Sequence, residues 1–230
     1  MTGRPRVLVV EDEPVLAGLV GTYLERAGMD HLEVGDGLEG LEVARSWSPD
    51  VVVLDLGLPS LDGVEVCRRL RTFSDCYVIM LTARADEVDT LIGLTVGADD
   101  YMTKPFSARE LIARIQVVLR RPRVAATPTR TRTFGALEID PDAREVRLDG
   151  ALVDLTPTEF DLLQVLSGRP RHALSRDQLL TSVWGEGWGG DDHLVDVHIA
   201  HLRKKLGDDP VSARFVVTVR GVGYRMGAGS

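Results

Sequence analysis

Residues 1–120 repeat one pattern five times: a short apolar run, then an amphipathic stretch at helical spacing. "RVLVV" (6–10) precedes Leu16, Leu19, Val20, Tyr23 and Leu24, and "HLEV" (31–34) precedes a helical stretch from Leu38 to Ala44. "VVVLD" (51–55) precedes Val64, Cys67 and Leu70; "YVIML" (77–81) precedes Val88, Leu91 and Ile92. "YMTKP" (101–105) precedes Leu111, Ile112, Ile115, Val118 and Leu119. Strands alternating with helices bury both sheet faces as a parallel sheet with helices on either side. The pattern predicts an α/β fold, a doubly wound (βα)5 parallel sheet of the flavodoxin-like kind. Ligands of such sheets bind beyond the carboxyl ends of the strands, so every strand-ending residue is a candidate.

Those ends carry Glu11 and Asp12, then Asp55, Thr82, and Lys104 before Pro105. Asp55 alone is ambiguous: "DVVVLDLGLPS" runs from an apolar strand into a Gly-Leu-Pro turn, which suits a strand end as well as chemistry. Its company narrows the choice. "EDEP" lacks a glycine fingerprint and would repel a pyrophosphate, which argues against a dinucleotide site. Clustered carboxylates call for a cation, and an all-oxygen set favours Mg²⁺ over zinc. A carboxylate can also act as a nucleophile toward phosphorus. Asp55 is therefore the expected phosphoryl acceptor, with Mg²⁺ held by Asp12, Asp55 and Glu11. Lys104 would pair with a phosphoryl oxygen, and Thr82 would hydrogen-bond the new group. An aspartyl-phosphate phosphatase needs a second Asp two residues on, where this chain has Gly57.

The segment "PRVAATPTRTRT" (122–133), with no acid and two prolines, reads as a linker between domains at 1–121 and 134–230. The net charge of −8 opposes a generally basic surface. No apolar run approaches the roughly 20 residues of a membrane span. Two cysteines without metal-ligand spacing, Cys67 and Cys76, suggest reduced thiols and a cytoplasmic location. In the second domain "FGALEID" (134–140), "REVRL" (144–148) and "ALVDL" (151–155) read as strands, with Asp149-Gly150 as a hairpin turn. "TPTE" opens one helix as a capping box, "SRDQ" opens a second, and "DHLVDVHIAHLRKKL" is a third with Val195, Ile199, Leu202 and Leu206 as its core stripe. A hairpin, "FVVTVRGVGYRM", closes the chain. Helices followed by a hairpin predict an α+β winged helix-turn-helix. Its basic residues Arg203, Lys204, Lys205, Arg220 and Arg225 cluster where the acids do not, so a local stripe would meet DNA phosphates.

"VVEDEP", "LDLGLPSLDG", "LTAR" and "GADDYMTKPF", followed by "DVHIAHLRKKL…TVRGVGYR", resemble the two-domain response regulators of the OmpR/PhoB family over nearly the whole chain. The resemblance implies that Asp55 takes a phosphoryl group from a sensor histidine kinase, with the Gly57 carbonyl completing the Mg²⁺ shell and Lys104-Pro105 cis. It implies that Tyr101 turns inward when Thr82 engages the phosphoryl group. Activated receivers would then form a homodimer through the fourth helix, fifth strand and fifth helix, using Asp99, Asp100, Glu110, Arg114 and Arg121. Thr90, Thr95 and Gln116 depart from the family's pairs, so a weaker dimer is expected. His193, Leu194, Val197, Ala200, His201 and Lys204 would face the major groove of double-stranded promoter DNA, in paired or tandem half-sites. Arg203 would meet phosphates, and Arg220 on the wing the minor groove. His198, beside the core stripe, either packs or bonds a phosphate. With few arginines on that face, thymine methyls and DNA shape would carry more of the readout than guanine. Residues 185–192 would meet RNA polymerase. A receiver controlling DNA binding without phosphorylation remains an open alternative.

Overall fold

The computed structural model describes residues 3–82, 96–119, 130–186, 188 and 192–229. The chain forms two compact units, Met1–Arg120 and Arg121–Ser230.

In the first unit β1 (Arg6–Val10), β2 (Asp30–Val34), β3 (Val51–Asp55), β4 (Tyr77–Thr82) and β5 (Asp100–Thr103) form one parallel sheet in the order β2-β1-β3-β4-β5. Around it lie α1 (Pro14–Arg26), α2 (Gly37–Trp47), α3 (Gly63–Leu70) and α4 (Ala108–Leu119). The helix expected around Val88, Leu91 and Ile92 falls outside the described residues, as do Arg84, Thr90, Thr95 and Arg121. Helix starts follow local chemistry. Pro14 opens α1, Asp36 Oδ1 accepts from the Leu38 and Glu39 amides, and Asp62 Oδ1 from that of Glu65. Every residue of β3 and β4 is buried. Val7, Val9, Val51, Val53, Ile79 and Leu81 pack with Ala17, Val20 and Leu24 of α1 and Leu111 and Ile115 of α4. The strand order reverses between β1 and β3, the switch point where doubly wound sheets open a crevice. Glu11, Asp12 and Asp55 all sit there.

The sheet's opposite edge is closed by Arg71, just after α3. Its guanidinium donates to the carbonyls of Gly97 and Cys76 and to Asp99 Oδ2, and Asp99 Oδ2 also accepts from the Val78 amide at 2.9 Å. Cys67 and Cys76 lie buried beside this brace. Burial pushes the Cys67 thiol from 9.0 up to about 12 and raises Cys76 as well, against the pull of Arg71. Thiolate is the reactive form, so both thiols are expected to resist iodoacetamide at pH 8 until the protein is unfolded, as read by intact mass. Raised thiol pKa values contribute stability that is whole below pH 9.0 and drains away as pH climbs toward 12. The urea midpoint is therefore expected to fall between pH 8 and pH 10.

The second unit begins with an antiparallel sheet of β6 (Arg132–Phe134), β7 (Leu137–Asp140), β8 (Glu145–Leu148) and β9 (Ala151–Leu152). Its first strand starts two residues before the expected domain boundary at 134. Arg132 secures it, donating from Nη1 to the Gln164 carbonyl and to Ser167 Oγ, both at 2.8 Å. Gly135, at φ +59°, turns the chain straight into β7 where one longer strand was expected. Asp149 and Gly150, both at positive φ, make the β8–β9 hairpin turn. Helices α5 (Pro157–Gly168) and α6 (Arg176–Trp184) open with reciprocal capping boxes, Thr156 with Glu159 and Ser175 with Gln178. Helix α7 (His193–Lys205) buries Val195, Ile199 and Leu202, with Leu206 just beyond its end. A short strand unforeseen in the sequence, β10 (Leu174–Ser175), joins β11 (Val216–Val219) and β12 (Gly223–Met226) in the order β10-β12-β11.

Candidate functional site

One carboxylate oxygen from each of Glu11, Asp12 and Asp55 lies within 4.8 Å of the other two at the switch point. Glu11 and Asp55 are 2% and 6% exposed, whereas Asp12 faces solvent. Lys104 reaches into this group from beyond β5. Its Nζ is 2.9 and 2.7 Å from the two Glu11 oxygens and 3.0 Å from Asp55 Oδ1. The Lys104 amide donates to the Thr82 carbonyl at 2.6 Å, and the Lys104–Pro105 peptide is cis. Burial raises the Glu11 pKa, the Asp55 charge adds to the rise, and Lys104 opposes it. Burial works against the Lys104 charge, but the hydrogen bonds it donates to Glu11 and Asp55 outweigh this and its pKa rises. Three carboxylates against one ammonium leave an excess of negative charge on oxygen donors alone. That set fits a hard divalent cation such as Mg²⁺, which takes one or two carboxylates and completes its shell with other oxygens.

Thr82 ends β4 and is buried; it pairs in register with Thr103, one residue beyond the pairing of Asp55 with Leu81. Tyr101 is half-buried on β5. A Cβ at position 57 would lie 3.5 Å from Asp55 Oδ2, so this residue borders the carboxylate and its glycine leaves the approach open. Gly63 escaped the sequence reading. A Cβ there would come 2.1 Å from the Asp55 carbonyl oxygen and 2.9 Å from Leu56 Cα, because the start of α3 rests directly on the strand end. Neither obstacle is a flexible side chain. Gly63→Ala is expected to push on the Asp55 backbone and to cost roughly 1–3 kcal/mol of stability. Denaturant melts read the loss, and an unchanged midpoint would show that the strand end gives way without cost.

In the second unit, α7 presents His193, Ala200 and Lys204 exposed and Val197 and His201 half-buried. Burial lowers the His201 pKa, favouring the neutral imidazole. Two expected DNA contacts, Leu194 and Arg203, are corrected, and His198 takes the packing alternative. Leu194 is 1% exposed and belongs to the core. His198, also 1% exposed, lies against Trp184 with ring centroids 5.6 Å apart. Arg203 is 7% exposed and donates to the Val216 carbonyl and Thr218 Oγ1 on β11. An amphipathic helix of this length buries a wider stripe than its four most apolar positions suggest. Arg220 stays exposed at the β11–β12 turn, next to the exposed Val222.

Residues 7–116 match the response regulator receiver domain, and residues 150–226 match the transcriptional regulatory protein C-terminal domain. The transcriptional regulatory protein CseB of Streptomyces coelicolor is 48% identical, with 99% of this chain and 100% of that protein covered. The DNA-binding response regulator MtrA of Mycobacterium tuberculosis is 44% identical, each chain covered over 98% of its length. This chain is an OmpR/PhoB-family response regulator. Solved structures agree: a mutant of RitR superposes with a TM-score of 0.77 at 28% identity, covering 98% of this chain and all of its own. DrrB of Thermotoga maritima, an OmpR/PhoB homologue, gives 0.54 at 31% identity, with the same coverage. No helix among the described residues is long and apolar enough to cross a membrane.

As an OmpR/PhoB regulator the chain holds Asp100, Glu110 and Arg114 of its expected dimer face in internal pairs. Arg114 Nη1 donates to both Asp100 oxygens at 2.9 Å, and Nη2 to Glu110 Oε1 at 2.7 Å. Asp99 is corrected: it is 1% exposed and bound to Arg71 and the Val78 amide, so it is a brace for the β4–β5 edge. Gln116 is half-buried on α4.

Proposed function

We propose that this regulator is a phosphorylation-controlled transcription factor, with Asp55 as acceptor for a sensor histidine kinase. The convergence of Glu11, Asp12, Asp55 and Lys104 on one strand-end crevice supports this reading. An Asp55 oxygen attacks the phosphorus of the phosphohistidine. The new P–O bond forms as the P–N bond breaks, and the electron pair returns to the imidazole. Asp12, Asp55, Glu11 and the Gly57 carbonyl would hold Mg²⁺, which supplies charge neutralisation for the phosphoryl oxygens. Lys104 moves its ion pair from the Asp55 oxygen to the phosphoryl group. Thr82 turns its hydroxyl to the same group, and Tyr101 follows inward. The face carrying Asp100, Glu110, Arg114 and Arg121 then forms the dimer. His193, Val197, Ala200, His201 and Lys204 read the major groove of paired half-sites, with Arg220 in the minor groove.

Incubation with Mg²⁺ and a small acyl phosphate, read by intact mass, sedimentation and DNA titration, tests the proposal. The expected result is one added phosphoryl group, partial dimerisation and tighter DNA binding. Exposed ion pairs are worth about 0–1 kcal/mol each, so the departures at Thr90, Thr95 and Gln116 predict a weak dimer. DNA affinity that ignores phosphorylation would favour control without it, and tight dimers in both states would exclude the weakened interface.

A further inference from the structure

An acidic residue on a DNA-reading helix is a liability, since it repels phosphates. Asp196 sits in the first turn of α7, between His193 and Ala200 on the helix surface, yet nothing in the reading of DNA calls for it. Its carboxylate is fully engaged with two other elements. Arg176, the first residue of α6, donates from Nε to Oδ1 at 2.8 Å and from Nη2 to Oδ2 at 3.1 Å. The Tyr224 hydroxyl, on wing strand β12, donates to Oδ1 at 2.7 Å. Two guanidinium groups flank the Tyr224 ring: Arg176 at 5.5 Å and Arg203 at 5.6 Å from its centroid. Arg203, rooted in the last turn of α7, extends the cluster to β11 through the Val216 carbonyl and Thr218 Oγ1.

The cluster thus joins both ends of the recognition helix to both strands of the wing and to the helix before it. Charge-assisted bonds and a flat bidentate fork fix direction as well as distance. Arg176 pairs with the carboxylate through that fork, so the liability is neutralised in place. Burial, and then the bond to Asp196, push the Tyr224 hydroxyl up to about 12, so it stays protonated as a donor through the physiological range.

We propose that Tyr224, through Asp196, is a positioning residue that sets the wing against the recognition helix, so that Arg220 and the α7 reading face engage DNA as one unit. This rests on the proposed DNA reading, in which Arg220 is a contact. Tyr224→Phe deletes the bond to Asp196 and keeps the ring between its two arginines, so the fold is expected to survive.

The test is a double-mutant cycle in the full chain, using one selected duplex site and an intact thermal melt for every variant. Arg220→Ala in the wild-type background is expected to weaken binding and lower the salt slope by about one unit. In the Tyr224→Phe background the same change is expected to cost less by at least about threefold in Kd, within the range of direct coupling. A generally softened domain would lower affinity without changing the Arg220 penalty. Equal Arg220 penalties in both backgrounds would overturn the positioning role and leave the DNA reading standing. An Arg220→Ala change with no penalty in either background would overturn the wing contact itself, and the positioning role with it.

Discussion

Asp55→Asn is expected to abolish phosphoryl incorporation altogether while leaving the receiver as stable as before, or more so. The amide keeps the shape of the carboxylate but not its nucleophilic charge, and no other oxygen of the cluster takes its place. Glu11 holds Lys104 on both its oxygens, and Asp12 lies exposed at the rim. The stability outcome follows from the same electrostatics. Asp55 is one cause of the raised Glu11 pKa, so the neutral amide removes a repulsion from a buried pair. Lys104 keeps Glu11 as its partner. A raised carboxyl pKa disfavours the folded state as pH rises from the ordinary value of 4.5 through the folded one. That pH-dependent loss is therefore expected to shrink in Asp55→Asn. Magnesium affinity, read by calorimetry, is expected to drop by about tenfold or more with one ligand charge gone. Persistence of the phosphoryl label in Asp55→Asn would move the acceptor to another residue.

The largest stability effect is expected at Asp208→Ala. Asp208 lies just beyond α7, 5% exposed. Its carboxylate accepts the Arg214, Phe215 and Val216 amides at 2.6, 3.1 and 2.8 Å, and its own amide donates to the Arg203 carbonyl at 2.8 Å. Phe215 and Val216 are wholly buried, so removal of the carboxylate strands amide donors that water cannot reach. At about 1–3 kcal/mol for each such donor, the loss is expected to reach about 3–5 kcal/mol, much of a domain's total stability. Asp208→Asn, retaining one acceptor oxygen, should fall between the two. Urea melts of all three proteins measure the order, and equal midpoints would show that the strand start is held by its apolar packing alone.

The strand-end residues were legible because a doubly wound sheet leaves few places for them to go. Alternation of apolar runs fixes the layers, and the carboxyl ends of β1, β3, β4 and β5 must then meet. The capping box at Thr156 was legible for a similar reason, since its spacing is the geometry. What escaped depended on distance in sequence. Nothing local in "RRLRTF" tells that Arg71 will reach Asp99, so Asp99 read as a surface charge. Gly63 matters through contact with the Asp55 backbone, which no periodicity reveals. On α7 the core stripe was correct but too narrow, because Leu194, His198 and Arg203 are drawn inward by partners on other elements. Short strands such as β10 carry too few residues to show a period.

The position of Lys104 bears on the genetics of the switch. One ammonium steadies the unmodified crevice, through Glu11 and Asp55, and is the same group proposed to hold the phosphoryl oxygens afterwards. Both logical states thus share a single latch. A lesion there is expected to yield neither an always-on nor an always-off allele, but a protein that has lost the contrast between its two outputs. Constitutive alleles should instead arise where only one state has a partner, and a selection for signal-independent transcription is expected to return substitutions away from residue 104.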